Sequence, residues 1–239
     1  MIIFIINLLF MRTLIVLLFI LITGLSYAQI KNAPKSFDSL TISPNAFKYT
    51  SKLSNKYTVP KEFELVIAIA LSYYPELAET KIKFKYQKIS TTLNARPTIT
   101  SLLFSKREDR IYILRVNNSL KDSVISVSDV PFNAKIGLFA HEFSHFADYS
   151  KKSMFGVIGR GISYASKKSK ATFEKEIDLK TIQRGLGWQL YDWSNFVLND
   201  SNADVKYKEF KKETYMTPES ILETINATYT ISDELNTNQ

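Results

Sequence analysis

Cysteine is missing from all 239 residues, which excludes disulfides, thiolate metal sites and a lipid-modified cysteine while selecting no compartment. Histidine is nearly missing too: the chain has two, His141 and His145. Nor is there any internal repeat or low-complexity tract. Acidic residues number 23 against 31 basic ones, a formal net charge of +8. The lysines are spread along the chain rather than gathered into a stripe, so nucleic acid is not expected as a partner. Runs at Lys151-Lys152, at Lys167-Lys168 with Lys170, and over 206–212 read as solvated faces. The alternative for them is weak attraction to an anionic membrane or cell-wall polymer.

Residues 1–28 stand apart from the fold. Arg12 precedes an apolar run over 14–25, and Ser26-Tyr27-Ala28 sets small residues three and one positions before Gln29, a cleavage pattern. Counted from Met11 this is a short secretory peptide. Counted from Met1 the apolar stretch is long enough to span a bilayer, interrupted by Arg12. The expectation is a signal peptide cleaved after Ala28, with an uncleaved anchor as the alternative. Either way the folded part is exported, to a periplasm or beyond the cell.

The chain as a whole has an ordinary globular composition, 45% hydrophobic, with room for one core. Residues 29–60, rich in Lys, Ser, Asn and Thr, read as an extended lead-in, and 61–239 as one domain. Phe63, Val66, Ile67, Ala70 and Leu71 mark a helix face over 61–74. Alternation then predicts strands over 81–90, 98–104 and 110–116, the last two joined as a hairpin by the polar residues 105–109, with a short strand over 123–127. The expected class is α+β with a small antiparallel sheet. The glycine-containing, weakly charged segment 153–169 reads either as a flap or membrane-touching turn, or as a buried irregular connection. Thr217-Pro218-Glu219 reads as a helix start, with Thr217 as N-cap and Pro218 at the first helical position.

Both histidines lie in one stretch, His141-Glu142-Phe143-Ser144-His145. In a chain of this length an H-E-x-x-H arises by chance on the order of once in a hundred. Ile136, Phe139, Ala140, Phe143 and Ala147 recur at helical spacing after Pro131. On a helix, residues four apart share a face with Cβ atoms about 6 Å apart, so His141 and His145 can reach one ion. Glu142 sits about 100° around the helix, where its arm reaches a water at that ion as a general base. Neutral imidazoles suit Zn²⁺, and three protein ligands leave a position for water, whose pKa zinc lowers to about 7. That chemistry is hydrolysis of an amide without a covalent intermediate.

The third ligand cannot be a histidine, which removes the metzincin arrangement. A helix over 173–185 ending at Gly185 carries Glu174 and Asp178 four apart on one face, while Glu176 points away toward Lys175 and Lys180. Glu174 is thereby expected as a ligand and Asp178 as the carboxylate that takes a histidine's other ring N–H.

These residues resemble the gluzincin metallopeptidases, and within them the branch with the CAAX prenyl proteases and the heat-shock HtpX proteases, whose second motif commonly reads Glu-x-x-Ala-Asp. The likeness covers about 131–185, with Ile177 in place of alanine and without that branch's several membrane spans. It implies a zincin-like domain in which the motif helix packs on a second, acidic helix. It also implies one zinc ion on His141, His145 and Glu174, Glu142 as the base and Asp178 orienting a histidine. The expected activity is that of an exported zinc metallopeptidase acting on a peptide or protein substrate. The alternative is a catalytically silent zincin-like binding or assembly protein of the cell envelope, and retention of Glu142 favours the enzyme. By the same resemblance, residues 110–116 are the expected sheet edge along which substrate lies. Arg184, Tyr164 and Tyr191 are open as donors to an oxyanion.

Overall fold

A computed structural model describes residues 33–39, 59–118 and 124–237. The expected signal peptide lies outside the described residues, as does most of the lead-in. Within them the order is α1 (Glu64–Ser72), β1 (Lys81–Tyr86), β2 (Leu93–Pro97), α2 (Ile99–Phe104), β3 (Ile111–Val116), α3 (Phe132–Ser150), α4 (Met154–Ile162), α5 (Lys167–Thr181), α6 (Gly187–Asn195), α7 (Val205–Thr214) and α8 (Pro218–Thr237). This is a mixed α+β chain dominated by helices, and none of the helices searched is long and apolar enough to cross a membrane.

Among the described residues the sheet has three strands, in the order β1-β3-β2. It is mixed rather than antiparallel: Lys81 pairs with Ile111 and Tyr86 with Val116 in parallel, whereas Leu93 pairs with Val116 and Pro97 with Tyr112 in antiparallel register. β3 is therefore central, and the expectation that 110–116 forms an edge is corrected. The two edges are β1 and β2. The expected strand over 98–104 is a helix instead. Pro97 closes β2, the Thr98 side chain accepts from Ser101 N–H as an N-cap, and the run Leu102-Leu103-Phe104 is too short for periodicity to separate strand from helix. Similarly, the described part of 123–127 forms no strand, its end entering a 3₁₀ turn over Val127–Asp129.

α3 is the axis of the molecule. Fifteen of its nineteen residues are buried, and a helix buried on all sides must be packed on all sides. α1, α5, α6 and β2 surround it. Pro131 opens it, and Asn133 in its first turn holds the chain at Phe37, accepting from Phe37 N–H at 2.7 Å and donating to Phe37 O at 3.1 Å. Phe139, Phe143 and Phe146 meet Phe63, Tyr74 and Tyr112 in one aromatic seam. Gly137 lets α6 approach: a β-carbon there would overlap the Gln189 carbonyl and come within 2.7 Å of Leu190 N.

Residues 153–169 are neither irregular nor buried as a whole. Ser153 caps α4 by accepting from Gly156 N–H, a 3₁₀ turn covers Ser163–Ala165, and Ser166 caps α5. α5 then ends in a wide turn where Gly185 takes φ 87°, a conformation open to glycine and costly for other residues.

Candidate metal centre

α3 and α5 lie side by side, and their facing residues build the site. His141, Glu142, His145, Glu174 and Asp178 are all buried. Glu174 Oε2 stands 3.2 Å from His141 Nε2 and 3.2 Å from His145 Nε2. His141, His145 and Glu174 thus form a group that could hold a metal ion, with one ligand atom from each lying within 4.8 Å of the others.

Asp178 sits behind this group. Its Oδ1 is 2.8 Å from His141 Nδ1, and its Oδ2 accepts from Met216 N–H at 2.8 Å. Holding Nδ1 turns Nε2 toward Glu174. His145 is oriented differently, since its Nδ1 has no hydrogen-bond partner among the described residues. Its ring is stacked on Tyr149 and meets the edge of Phe173. Both rings meet Glu174 through Nε2; on the Nδ1 side His141 is held by a second carboxylate, while His145 is held only by packing.

The charges reflect this crowding. Burial disfavours a protonated His141, but the hydrogen bonds to Asp178 and Glu174 outweigh it and push the imidazole up to about 10. Burial likewise acts against an ionised Glu174, and the neighbouring His145 and His141 reverse it, holding this carboxyl well below its ordinary range. Glu142 goes the other way: burial raises it, and the histidines offset this only in part.

Around the site the structure sorts the residues named from sequence. Tyr164 donates to Glu174 Oε1 at 2.7 Å, so of the three oxyanion candidates it is the one in contact with the group. Arg184 is engaged elsewhere, with Glu76 and with Tyr73 O at 3.2 Å, and Tyr191 packs against the edge of Trp188. Glu176 does turn away, binding Lys180 and Arg160 at 2.7 and 2.6 Å.

Other members were invisible in the sequence. Tyr215 meets His141 edge-on at 5.5 Å, and its own ring lies under the Lys211 ammonium at 4.0 Å. A chain of buried hydroxyls backs the helices. Tyr74 donates to Ala140 O at 2.7 Å and contacts Ser144 Oγ, which in turn contacts Thr181 Oγ1, each at 2.8 Å. Tyr215 and Met216 arrive from the end of α7 with no motif to announce them. A groove of about 660 Å³ between the start of α5 and α7 has Tyr164, Lys170, Lys206 and Phe210 in its walls, and so borders the group at Tyr164.

No family model matches the chain, and neither a curated protein nor a solved structure does. Fold and site together define an α+β protein with a buried His-His-Glu group able to hold a metal ion.

Proposed function

We propose that the protein is an exported zinc-dependent peptidase with a zincin-like core, in which His141, His145 and Glu174 hold the metal and Glu142 is the base. The observation carrying this reading is the position of Glu174 Oε2, 3.2 Å from both Nε2 atoms. Donors that share one ion must stand close together, and one ligand atom from each of the three residues lies within 4.8 Å of the others, so His141, His145 and Glu174 would hold the metal between them. The donor set fits the same ion: two imidazoles and a carboxylate are a catalytic zinc set, one protein ligand short of a closed structural site. Zinc bound there supplies Lewis acidity and brings the pKa of a bound water to about 7.

The chain's own residues have separate tasks. Glu142 takes the proton from the attacking water and returns it to the leaving amine. Asp178 fixes the tautomer and direction of His141, and Tyr164 fixes the direction of Glu174 by donating its one hydroxyl proton to Oε1. β2, the sheet edge packed on α3, takes the place expected of 110–116 as the strand a peptide substrate extends.

Metal analysis and peptidase assays on wild type and Glu142→Gln test the proposal together. Zinc in both proteins, with hydrolysis in wild type only, supports the peptidase. Zinc in both and hydrolysis in neither supports the silent zincin-like alternative, and no zinc in either removes both readings.

A further inference from the structure

Among the described residues ten large apolar side chains are exposed, and six of them fall in two short helices: Ile99, Leu103 and Phe104 in α2, Phe155, Ile158 and Ile162 in α4. Single exposed apolar residues are ordinary, but a cluster is not. Phe104 is 85% exposed and Phe155 76%, Ile162 65% and Ile99 62%, so these side chains project rather than rest in a neighbour's groove.

The two helices are tied to one end of α3. Ser101 in α2 is bonded to both the N–H and the carbonyl of Ile111, at 3.0 and 3.1 Å. The preceding Arg110 is 4% exposed and donates to Tyr149 O and Lys152 O, at 3.2 and 2.8 Å, in the last turn of α3 and just beyond it. α4 begins two residues later. Its inner side is pinned by buried Val157 and by Arg160, which binds Asp148 at 2.9 Å and Glu176 at 2.6 Å. Phe155, Ile158 and Ile162, spaced by three and four, form its outer stripe.

The polar residues beside these helices are mostly cationic. Lys106 and Arg107 come after α2, Lys151 and Lys152 precede α4, and Lys167 and Lys168 lie past the turn after it. Glu108, Asp148 and Glu213 pair with Arg107, Lys152 and Lys167, at 3.4, 3.8 and 3.9 Å, and cations still outnumber carboxylates there. Apolar side chains projecting from short helices, with lysine and arginine at their base, match an interfacial membrane contact: the apolar groups enter the acyl boundary and the cations meet lipid headgroups. We propose that α2 and α4 together form a docking face for an anionic lipid bilayer. The proposal stands independently of the metal reading. It orients the molecule so that Tyr164, in the turn after α4 and bonded to Glu174, lies near the membrane.

The absence of cysteine allows a direct test in the full chain. Single Phe104→Cys, Phe155→Cys and, as a control on α8, Glu223→Cys variants, each confirmed folded by thermal melting, are labelled with an environment-sensitive fluorophore. They are then mixed with phosphatidylcholine vesicles with and without phosphatidylglycerol. The expected result is a several-fold rise in emission at positions 104 and 155 with the anionic vesicles, quenched by brominated acyl chains, reduced in 0.5 M salt and missing at position 223. No change at 104 and 155 would overturn the proposal, whether the protein sediments with the vesicles, attachment then being elsewhere, or stays in solution. So would an equal response to neutral vesicles. A rise without vesicles that grows with protein concentration would replace the bilayer by a second copy of the chain.

Discussion

Asp178 and His141 are joined across two helices at 2.8 Å, and the other oxygen of the same carboxylate is held by Met216 N–H at 2.8 Å. Asp178 is therefore a hinge pin between the imidazole on α3 and the loop after α7, not a free acid near a histidine. Replacing it by asparagine keeps the shape but puts either an amide donor against Nδ1 or an amide carbonyl where a carboxylate was. We predict that Asp178→Asn lowers zinc affinity by about 10- to 100-fold, read by competition against a chromogenic chelator. An unchanged affinity would mean that this carboxylate has no part in holding metal.

Gly137 lies one helical turn before His141, where α3 meets the backbone of α6. Because a β-carbon there would meet main-chain atoms of Gln189 and Leu190 rather than a flexible side chain, the helices must separate. Gly137→Ala is expected to cost about 3 kcal/mol as an overpacking change, or roughly 6 to 12 °C in melting midpoint for a chain of this size. Scanning calorimetry measures it. Gly159→Ala, where a β-carbon would enter open space inside α4, serves as the control and should leave the midpoint unchanged or raise it by about 1 to 4 °C, since alanine is the better helix residue.

Arg160 anchors α4 by two bonds to Asp148, two to Glu176 and a contact over the Phe173 ring at 4.4 Å. Its side chain is 20% exposed, so solvent weakens the pairs only in part. Arg160→Met should cost about 2 kcal/mol at neutral pH. Burial pushes the Asp148 carboxyl up, but Arg160 and Lys180 outweigh it and hold it below its ordinary range. A group lowered in the folded state contributes stability above the unfolded value, about 3.9, and loses it as the pH falls through the folded value. The difference between wild type and Arg160→Met should therefore shrink as the pH drops below about 4, which urea titrations at pH 7 and pH 3 will show.

With zinc bound as proposed, removing it should loosen the protein without unfolding it. Phe143, Phe173 and Ile177 bury α3 and α5 against the core whatever the site holds, and Glu174 hydrogen-bonds His145 on its own. Zinc at about a thousand times its dissociation constant adds about 4 kcal/mol. Chelation should then lower the melting midpoint by roughly 8 to 16 °C while far-UV circular dichroism keeps its helical signal, and added zinc should restore the midpoint. Collapse of the helical signal on chelation would mark the metal as a folding requirement instead.

The pattern His141-Glu142-x-x-His145 and the four-residue step from Glu174 to Asp178 are legible because helical periodicity alone decides which residues share a face. The same logic turns Glu176 outward, and Gly185 is legible for a separate reason, since the positive φ of the turn after α5 favours glycine. Pairing between strands obeys no such local rule. That is why β3, expected as an edge, is the central strand, and why 98–104, whose pattern suits a strand, is a helix capped by Thr98. Tyr215, Met216 and Lys211 carry no sequence signal for a related reason, as nothing local links them to residues more than thirty positions earlier.

By itself, then, the sequence determined the identity of the metal-capable side chains and their grouping by helix, because spacing of 3.6 residues per turn is a property of the backbone and needs no neighbours. Only the tertiary structure decided that α3 and α5 lie side by side, that one oxygen of Glu174 reaches both imidazoles, and that Asp178 answers to the loop after α7. Those distances are set by which apolar faces bury against which, a sum over the whole core that no single segment contains.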